Sequence, residues 1–208
     1  MEASASAPTH PEIELEPPEW QPRANWVSAR LLCGAAAFFF AAFVFAYFYL
    51  RSQDSNHDWK IGHVAAPGVL GAVIAVALVV SAVALHAASR SRARMLSAGG
   101  LALALALLSI VLQVFAWTEL GFGPASGGYA SVYIGWTAFY SVMTLACAYW
   151  IETQVATAWR RTRHGVQTTP AEVTSDTPTI RSGAEAASFF WSFHVAIGVL
   201  MFVVLYLL

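Results

Sequence analysis

Two histidines lie inside the long apolar runs of this sequence, His86 and His194. Histidines on facing helices are the usual axial ligands of a haem within a membrane bundle, so a haem held by both is one interpretation. His86 lies near the end of its run, and His194 lies about 12 Å into its own run if that run is helical. We favour the alternative, in which they form interhelical hydrogen bonds, and we predict no cofactor in this chain.

A second candidate site lies between the first two apolar runs. Its potential metal ligands are Asp54, His57, Asp58 and His63. A solvated loop between helices accounts for the same residues, and we favour it and predict no bound metal. The sequence contains no Walker loop, dinucleotide fingerprint, Ser-His-Asp set or copper-binding cysteine pair, and Cys33 and Cys147 lie in apolar runs without a CxxC spacing. We therefore predict no catalytic residue.

The elements that position these residues follow from composition. Apolar residues make up 58% of the chain and charged residues 11%, whereas soluble domains carry about 25% charged residues. A soluble surface with so few charges would aggregate, and a lipid environment removes that difficulty. The net charge of −1 gives no basic field that would attract nucleic acid. The composition indicates a membrane protein.

Five apolar segments are long enough to span a bilayer, which takes about 20 helical residues. We predict an all-α bundle of five transmembrane helices, at about residues 31–50, 64–88, 95–117, 129–159 and 186–208. The alternating LALALAL stretch at 101–107 could mimic a strand, but a lipid-exposed strand edge would leave backbone groups unpaired, which favours a helix. The bundle occupies residues 28–208, with a disordered cytoplasmic tail at 1–27 and a cytoplasmic linker at 160–185.

The arginines predict an orientation. If the N-terminus is cytoplasmic, all 11 basic residues except Arg51 and Lys60 lie in cytoplasmic segments. Positive residues accumulate on the cytoplasmic side of membrane proteins, so we predict an N-in, C-out topology. Small residues recur at four-residue spacing, as in Gly71 with Ala75 and Ala102 with Ala106, and such pairs favour tight helix packing.

Five stretches, taken in order, resemble the short, five-helix form of cytochrome c oxidase subunit III. The first helix is rich in Phe and small residues and ends in Tyr-Phe-Tyr-Leu-Arg at 47–51. The matching positions in the other four helices are Ser81 and His86, Gln113 and Trp117, residues 129–139, and residues 187–193 with 206–208. The resemblance covers residues 30–208, and no single motif within it is specific alone.

The resemblance implies an accessory subunit that carries no redox centre and stabilises the catalytic subunit in aerobic respiratory electron transport. Its implied partners are the haem-bearing subunit I, subunit II and membrane phospholipid, with haem and copper in the partner subunits. Candidate lipid-binding residues are Arg30, Arg51, His86 and Trp191, although snorkelling to the interface accounts equally for the two arginines. The implied location is a bacterial-type inner membrane.

Departures from the family pattern affect its polar positions. Ala36 and Ala116 stand where the family has buried glutamates, and Ser192 and Val195 replace its fifth-helix His and Asp. The segment 140–143 reads Tyr-Ser-Val-Met in place of the family's His-Gly-Leu-His. These changes indicate a divergent member and count against a role in proton uptake.

Two alternatives remain open. A quinol oxidase or nitric oxide reductase uses a similar third subunit, and the sequence does not give the electron donor. A small transporter or membrane scaffold is the alternative from a different class. Broken helices and central polar residues would mark a transporter, and Pro67 near a helix start is the one weak candidate.

Overall fold

The computed structural model describes residues 20–54, 59–60, 65–90, 94–163 and 170–208, with backbone alone described for 170–180. Its helices are α1 (Trp20–Ser52), α2 (Gly68–Ser89), α3 (Gly100–Thr118), α4 (Gly128–Arg163) and α5 (Pro170–Phe202). Single π-helical turns precede α3 (Met95–Gly99) and follow α5 (Val203–Leu207). All 5 helices are long and apolar enough to cross a bilayer. The predicted all-α, multi-pass bundle is confirmed, and its orientation stays a prediction.

The start of α1 differs from the sequence-based expectation. The helix begins at Trp20, so the part of the predicted tail from residue 20 to residue 27 is helical. Pro22 lies in the first turn, where a missing N–H costs nothing because those groups have no partner within the helix. Hydropathy marks the membrane portion of a helix, and α1 continues beyond it as a polar extension.

The structure also differs from the linker predicted at 160–185, because hydropathy again marks only the membrane portion of the helices. Helix α4 continues through Arg163, and α5 begins at Pro170. Proline is well suited to the first helical position because its φ angle is already helical. Arg160, Arg161 and Arg163 lie in the last turn of α4, where cations interact favourably with the helix dipole. Only residues 164–169, which lie outside the described part of the chain, separate the two helices.

Helix α5 has the most central position in the bundle. It packs against α1, α2 and α4, while α3 packs against α2 and α4, and α1 packs against α4. We call the end at which α1 begins the Trp26 end, because Trp26 of α1 contacts Phe189 of α5 there. The opposite end is called the Trp59 end, where Trp59 contacts Tyr47 and Tyr129.

Small residues allow close helix contact at selected positions. Ala102 and Ala106 of α3 are 0% exposed while neighbouring leucines face outward, so the predicted helix at 101–107 and its packing face are confirmed. At Gly71, an added Cβ would lie 2.6 Å from the Tyr206 ring. The small residues of α1 behave differently, because Gly34 has no neighbour within 4 Å. Much of α1 therefore faces away from the bundle.

Candidate functional site

His194 occupies the centre of the bundle. The side chain is 1% exposed, and its ring stacks on Tyr140 with centroids 4.2 Å apart. Its Nε2 lies 2.9 Å from the Thr144 hydroxyl, and the Tyr140 hydroxyl donates to the His194 carbonyl at 3.1 Å. These contacts connect α5 to α4. The predicted interhelical hydrogen bond is confirmed for His194.

The hydrogen bonds of Thr144 assign a tautomer to this histidine. The Thr144 hydroxyl donates its single hydrogen to the Tyr140 carbonyl at 2.8 Å. His194 Nε2 must therefore carry a hydrogen and donate it to Thr144. A nitrogen that carries a hydrogen cannot be a haem or metal ligand, and Nδ1 is buried without a partner among the described residues. The environment of His194 fits a packing role.

Trp191 belongs to the core of the bundle. Its indole N–H donates to the Ser81 hydroxyl at 3.1 Å, and that hydroxyl donates to the Ala102 carbonyl at 2.7 Å. The chain of bonds joins α5, α2 and α3. Trp191 is 1% exposed within this chain, and its indole N–H already has a protein partner. Its role as a lipid ligand stays a prediction.

A cavity of about 460 Å³ opens at the Trp26 end, between α1, α2 and α5. Its lining combines an aromatic wall with charged and hydroxyl groups: Trp26, His86, Ser89, Arg90, Glu185, Ser188, Phe189 and Ser192. We call it the Trp26 pocket. The Ser188 hydroxyl is buried and has no partner in the described part of the chain. Glu185 accepts a hydrogen bond from Arg181 at 2.8 Å. The pocket therefore presents a guanidinium, an imidazole, a carboxylate and an unpaired hydroxyl beside an apolar wall.

The remaining predicted lipid ligands lie at opposite ends of α1. Arg30 is exposed and its guanidinium lies 5.8 Å from the centre of the Trp26 ring. Arg51 is exposed as well, and its guanidinium donates to the Tyr47 hydroxyl at 3.4 Å. His86 lines the Trp26 pocket, and His194 does not. Of the predicted lipid ligands, His86 is the one in the lining of this pocket.

Between α1, α4 and α5, the Trp59 end is closed by aromatic side chains, and a cavity of about 460 Å³ opens at the same end between the start of α2 and the end of α3. The backbone N–H of Tyr129 donates to the Trp59 carbonyl at 2.9 Å, and the Tyr129 hydroxyl donates to the Leu205 carbonyl at 2.8 Å. Lys60 Nζ lies 4.5 Å above the Tyr129 ring, a cation–π distance. These contacts connect the loop after α1 to α4 and to the end of α5.

The candidate metal loop contributes to this closure. Asp54 Oδ1 accepts a hydrogen bond from the Trp59 backbone N–H at 3.0 Å, so the carboxylate orders the loop. His57, Asp58 and His63 lie outside the described residues. Within the described ranges, no group of three or more His, Cys, Asp or Glu side chains could hold a metal ion.

Comparisons with known proteins leave the family unassigned. No protein-family profile matches the sequence, and neither does any curated protein.

Sequence reasoning missed the Trp26 pocket because its residues come from three helices. His86 was singled out, but Glu185 fell in the predicted linker, and Ser188 and Phe189 were read as part of a uniform apolar span. The usable signal was the spacing of Glu185, Ser188, Phe189 and Ser192, which places these residues on one helical face.

Proposed function

We propose that this chain is an accessory, cofactor-free subunit of a haem–copper terminal oxidase, of the subunit III type, and that it binds phospholipid in the Trp26 pocket. The pocket is the observation that carries the lipid-binding part. The sequence resemblance along five stretches supports the oxidase part and the role in aerobic respiration. A core filled by the chain's own side chains suits a subunit that contributes stability to its partner.

The chemistry of the pocket matches a phospholipid headgroup at a membrane interface. His86 and Arg90 offer hydrogen-bond donors to a phosphate, and the Ser188 hydroxyl can form a further bond. Glu185 supplies a negative charge on the same wall, which suits a headgroup that also carries an amine. Trp26 and Phe189 provide the apolar side, as aromatic rings do at membrane interfaces. The volume of about 460 Å³ fits a headgroup, and its acyl chains would lie outside.

Helix α1 supports the oxidase-subunit part of the proposal. It is the least buried of the five spans, with 17% of its apolar window buried within the chain. Phe38 is 84% exposed, and Leu31 and Phe45 are each 68% exposed. These side chains form an apolar face against which the transmembrane helices of a catalytic subunit can pack.

Purification of the tagged chain from its native membrane in a mild detergent tests both parts. We expect a complex with a visible haem spectrum and bound phospholipid measured by mass spectrometry of the extract. The double variant Arg90→Gln with His86→Leu should retain the haem spectrum. It should bind at most half as much phospholipid as the wild-type complex purified in the same way.

Arg160→Gln is the matched control, because Arg160 is an exposed arginine in the last turn of α4 and does not line the pocket. It should leave the lipid content unchanged. A chain that purifies alone, without haem, would contradict the oxidase assignment. Equal lipid content in the double variant and the wild type would contradict the pocket assignment alone.

A further inference from the structure

A second, much smaller cavity lies in the middle of the bundle between α2, α3 and α4. Its accessible volume is about 10 Å³. A buried site needs about 10–15 Å³ on this measure to hold one water molecule. Polar side-chain groups are interspersed with apolar surface in its lining, which consists of Ile74, Ser109, Ile110, Gln113, Tyr140, Ser141 and Thr144. The volume reaches the lower limit for a single water, and polar groups that could bind it are present.

Gln113 gives this cavity an unmet hydrogen-bonding need. The residue is 3% exposed, and its Nε2 has no partner among the described residues. A buried amide nitrogen without a partner is costly in a membrane interior, where bulk water cannot solvate it. The Tyr133 hydroxyl lies within reach of the Gln113 side chain, but it forms its hydrogen bond with the Tyr206 hydroxyl at 2.9 Å. Among the described residues, no acceptor lies in hydrogen-bonding geometry with Gln113 Nε2.

Two hydroxyls around the cavity can accept a hydrogen bond but have no hydrogen left to donate. Ser109 donates its hydrogen to the Ala106 carbonyl at 2.7 Å, and Ser141 donates its hydrogen to the Thr137 carbonyl at 2.8 Å. Each hydroxyl has one hydrogen, so both retain only lone pairs for a further bond. The cavity is therefore lined by an unpaired donor on α3 and by free acceptors on both α3 and α4.

We propose that this cavity binds one water molecule, which accepts a hydrogen bond from the Gln113 amide and donates to the hydroxyls of Ser109 and Ser141. A water suits the site whichever way the amide is turned, because it can donate as well as accept. The bound water links α3 to α4. It is independent of the proposed oxidase role.

Such a water adds a link to a circuit of hydrogen bonds that joins four helices. Ser81 connects α2 to the α3 backbone and to Trp191 of α5. His194 connects α5 to Thr144 of α4. The indole N–H of Trp117 in α3 donates to a hydroxyl of α4 at 3.0 Å. The water joins α3 and α4 a second time.

Solution NMR of the full chain in a lipid nanodisc tests the site with water as the probe. The side-chain amide hydrogens of Gln113 should show a cross-peak to a long-lived water, although the residue is buried. Ser141→Val, which removes an acceptor and fills the space with a methyl group, should abolish this cross-peak. Ser109→Val provides a second filling variant, on the other helix, should the first fail to fold.

Thr153→Val is the matched control, because Thr153 donates to the carbonyl of Trp150 in the same helix and does not line the cavity. It should leave the cross-peak unchanged. Absence of the cross-peak in the folded wild-type protein overturns the proposal. Persistence of the cross-peak at full intensity in a folded filling variant also overturns it, since the water would then lie elsewhere.

Discussion

The two ends of the bundle differ in how they are closed. At the Trp59 end, Trp59 is 7% exposed and Tyr129 is 2% exposed, and hydrogen bonds connect them to the loop and to α5. At the Trp26 end, a cavity of about 460 Å³ separates the helices and is lined by charged and hydroxyl groups. A cavity of the same volume also opens at the Trp59 end, but it lies between the start of α2 and the end of α3, and neither Trp59 nor Tyr129 lines it. The two ends therefore differ where α1 meets α5, because aromatic residues fill this space at the Trp59 end and leave a pocket at the Trp26 end.

The difference indicates how stability and binding are divided along the molecule. Interdigitated aromatic side chains lose many contacts when one of them is truncated, so the Trp59 end should contribute strongly to the free energy of unfolding. Open, charged surfaces contribute little to stability, because their interactions are solvated. Substitutions at the Trp26 end should therefore cost little stability, which leaves its residues available for the proposed lipid binding.

Truncation of a tryptophan at each end should give the largest contrast. Trp59→Ala should lower the free energy of unfolding by about 3–5 kcal/mol, because a buried aromatic is removed from between Tyr47 and Tyr129. Trp159→Ala is the matched control at the Trp26 end, since Trp159 is 50% exposed and contacts Arg163. It should cost less than about 1 kcal/mol. Denaturant titration in mixed micelles measures both, and equal losses would remove the distinction between the ends.

Addition of a methyl group should sharpen the same comparison. A Cβ at Gly128 would lie 2.9 Å from Cε3 of Trp59, so Gly128→Ala should cost about 1–3 kcal/mol through overpacking. Gly183 lies near the Trp26 end, and its added Cβ would meet Gln154 Oε1 at an ordinary 3.5 Å. Gly183→Ala should therefore be neutral or slightly stabilising, because alanine favours the helix. The same titration measures both variants, and a larger loss for Gly183→Ala would reverse our assignment.

The smallest effect on the free energy of unfolding is expected for the ion pair at the Trp26 end. Arg181 and Glu185 lie 2.8 Å apart, but the arginine side chain is 72% exposed. Exposed pairs one helical turn apart contribute about 0.3–0.5 kcal/mol. Arg181→Gln should therefore change the free energy of unfolding by no more than about 0.5 kcal/mol, with salt reducing the difference further. A loss comparable to that of Gly128→Ala would mean that the Trp26 end also contributes strongly to the free energy of unfolding.

The sequence predicted the spans well because apolar length is a local property. The alternating leucines at 101–107 formed a helix for the reason expected, which is that the bilayer leaves no partner for a strand edge. The helix ends were harder to predict. Hydropathy falls where a helix leaves the lipid, but Trp20 and Pro170 begin helices in polar sequence, where first-turn prolines are a better signal.

The sites were less accessible to sequence reasoning because they depend on side chains from different helices. His194 could be predicted as an interhelical hydrogen-bond former, but its partner Thr144 could not be chosen among many hydroxyls. The partner of Trp191, Ser81, is distant in sequence and could not be chosen either. The Trp26 pocket and the small cavity beside Gln113 are spaces between helices, and no linear pattern encodes them.

The hydroxyls of α4 have a consequence for the biogenesis of the protein. Thr137, Ser141 and Thr144 each donate to the carbonyl of the preceding helical turn, at 2.7–2.8 Å. Such bonds form as soon as the helix forms, before any neighbour is present. With a mean hydropathy of 1.3, α4 is the least apolar of the five spans. These three hydroxyl hydrogens therefore need no neighbouring helix when α4 enters lipid, whereas those of Tyr129 and Tyr140 find their acceptors only when α5 and the turn after it have been synthesised.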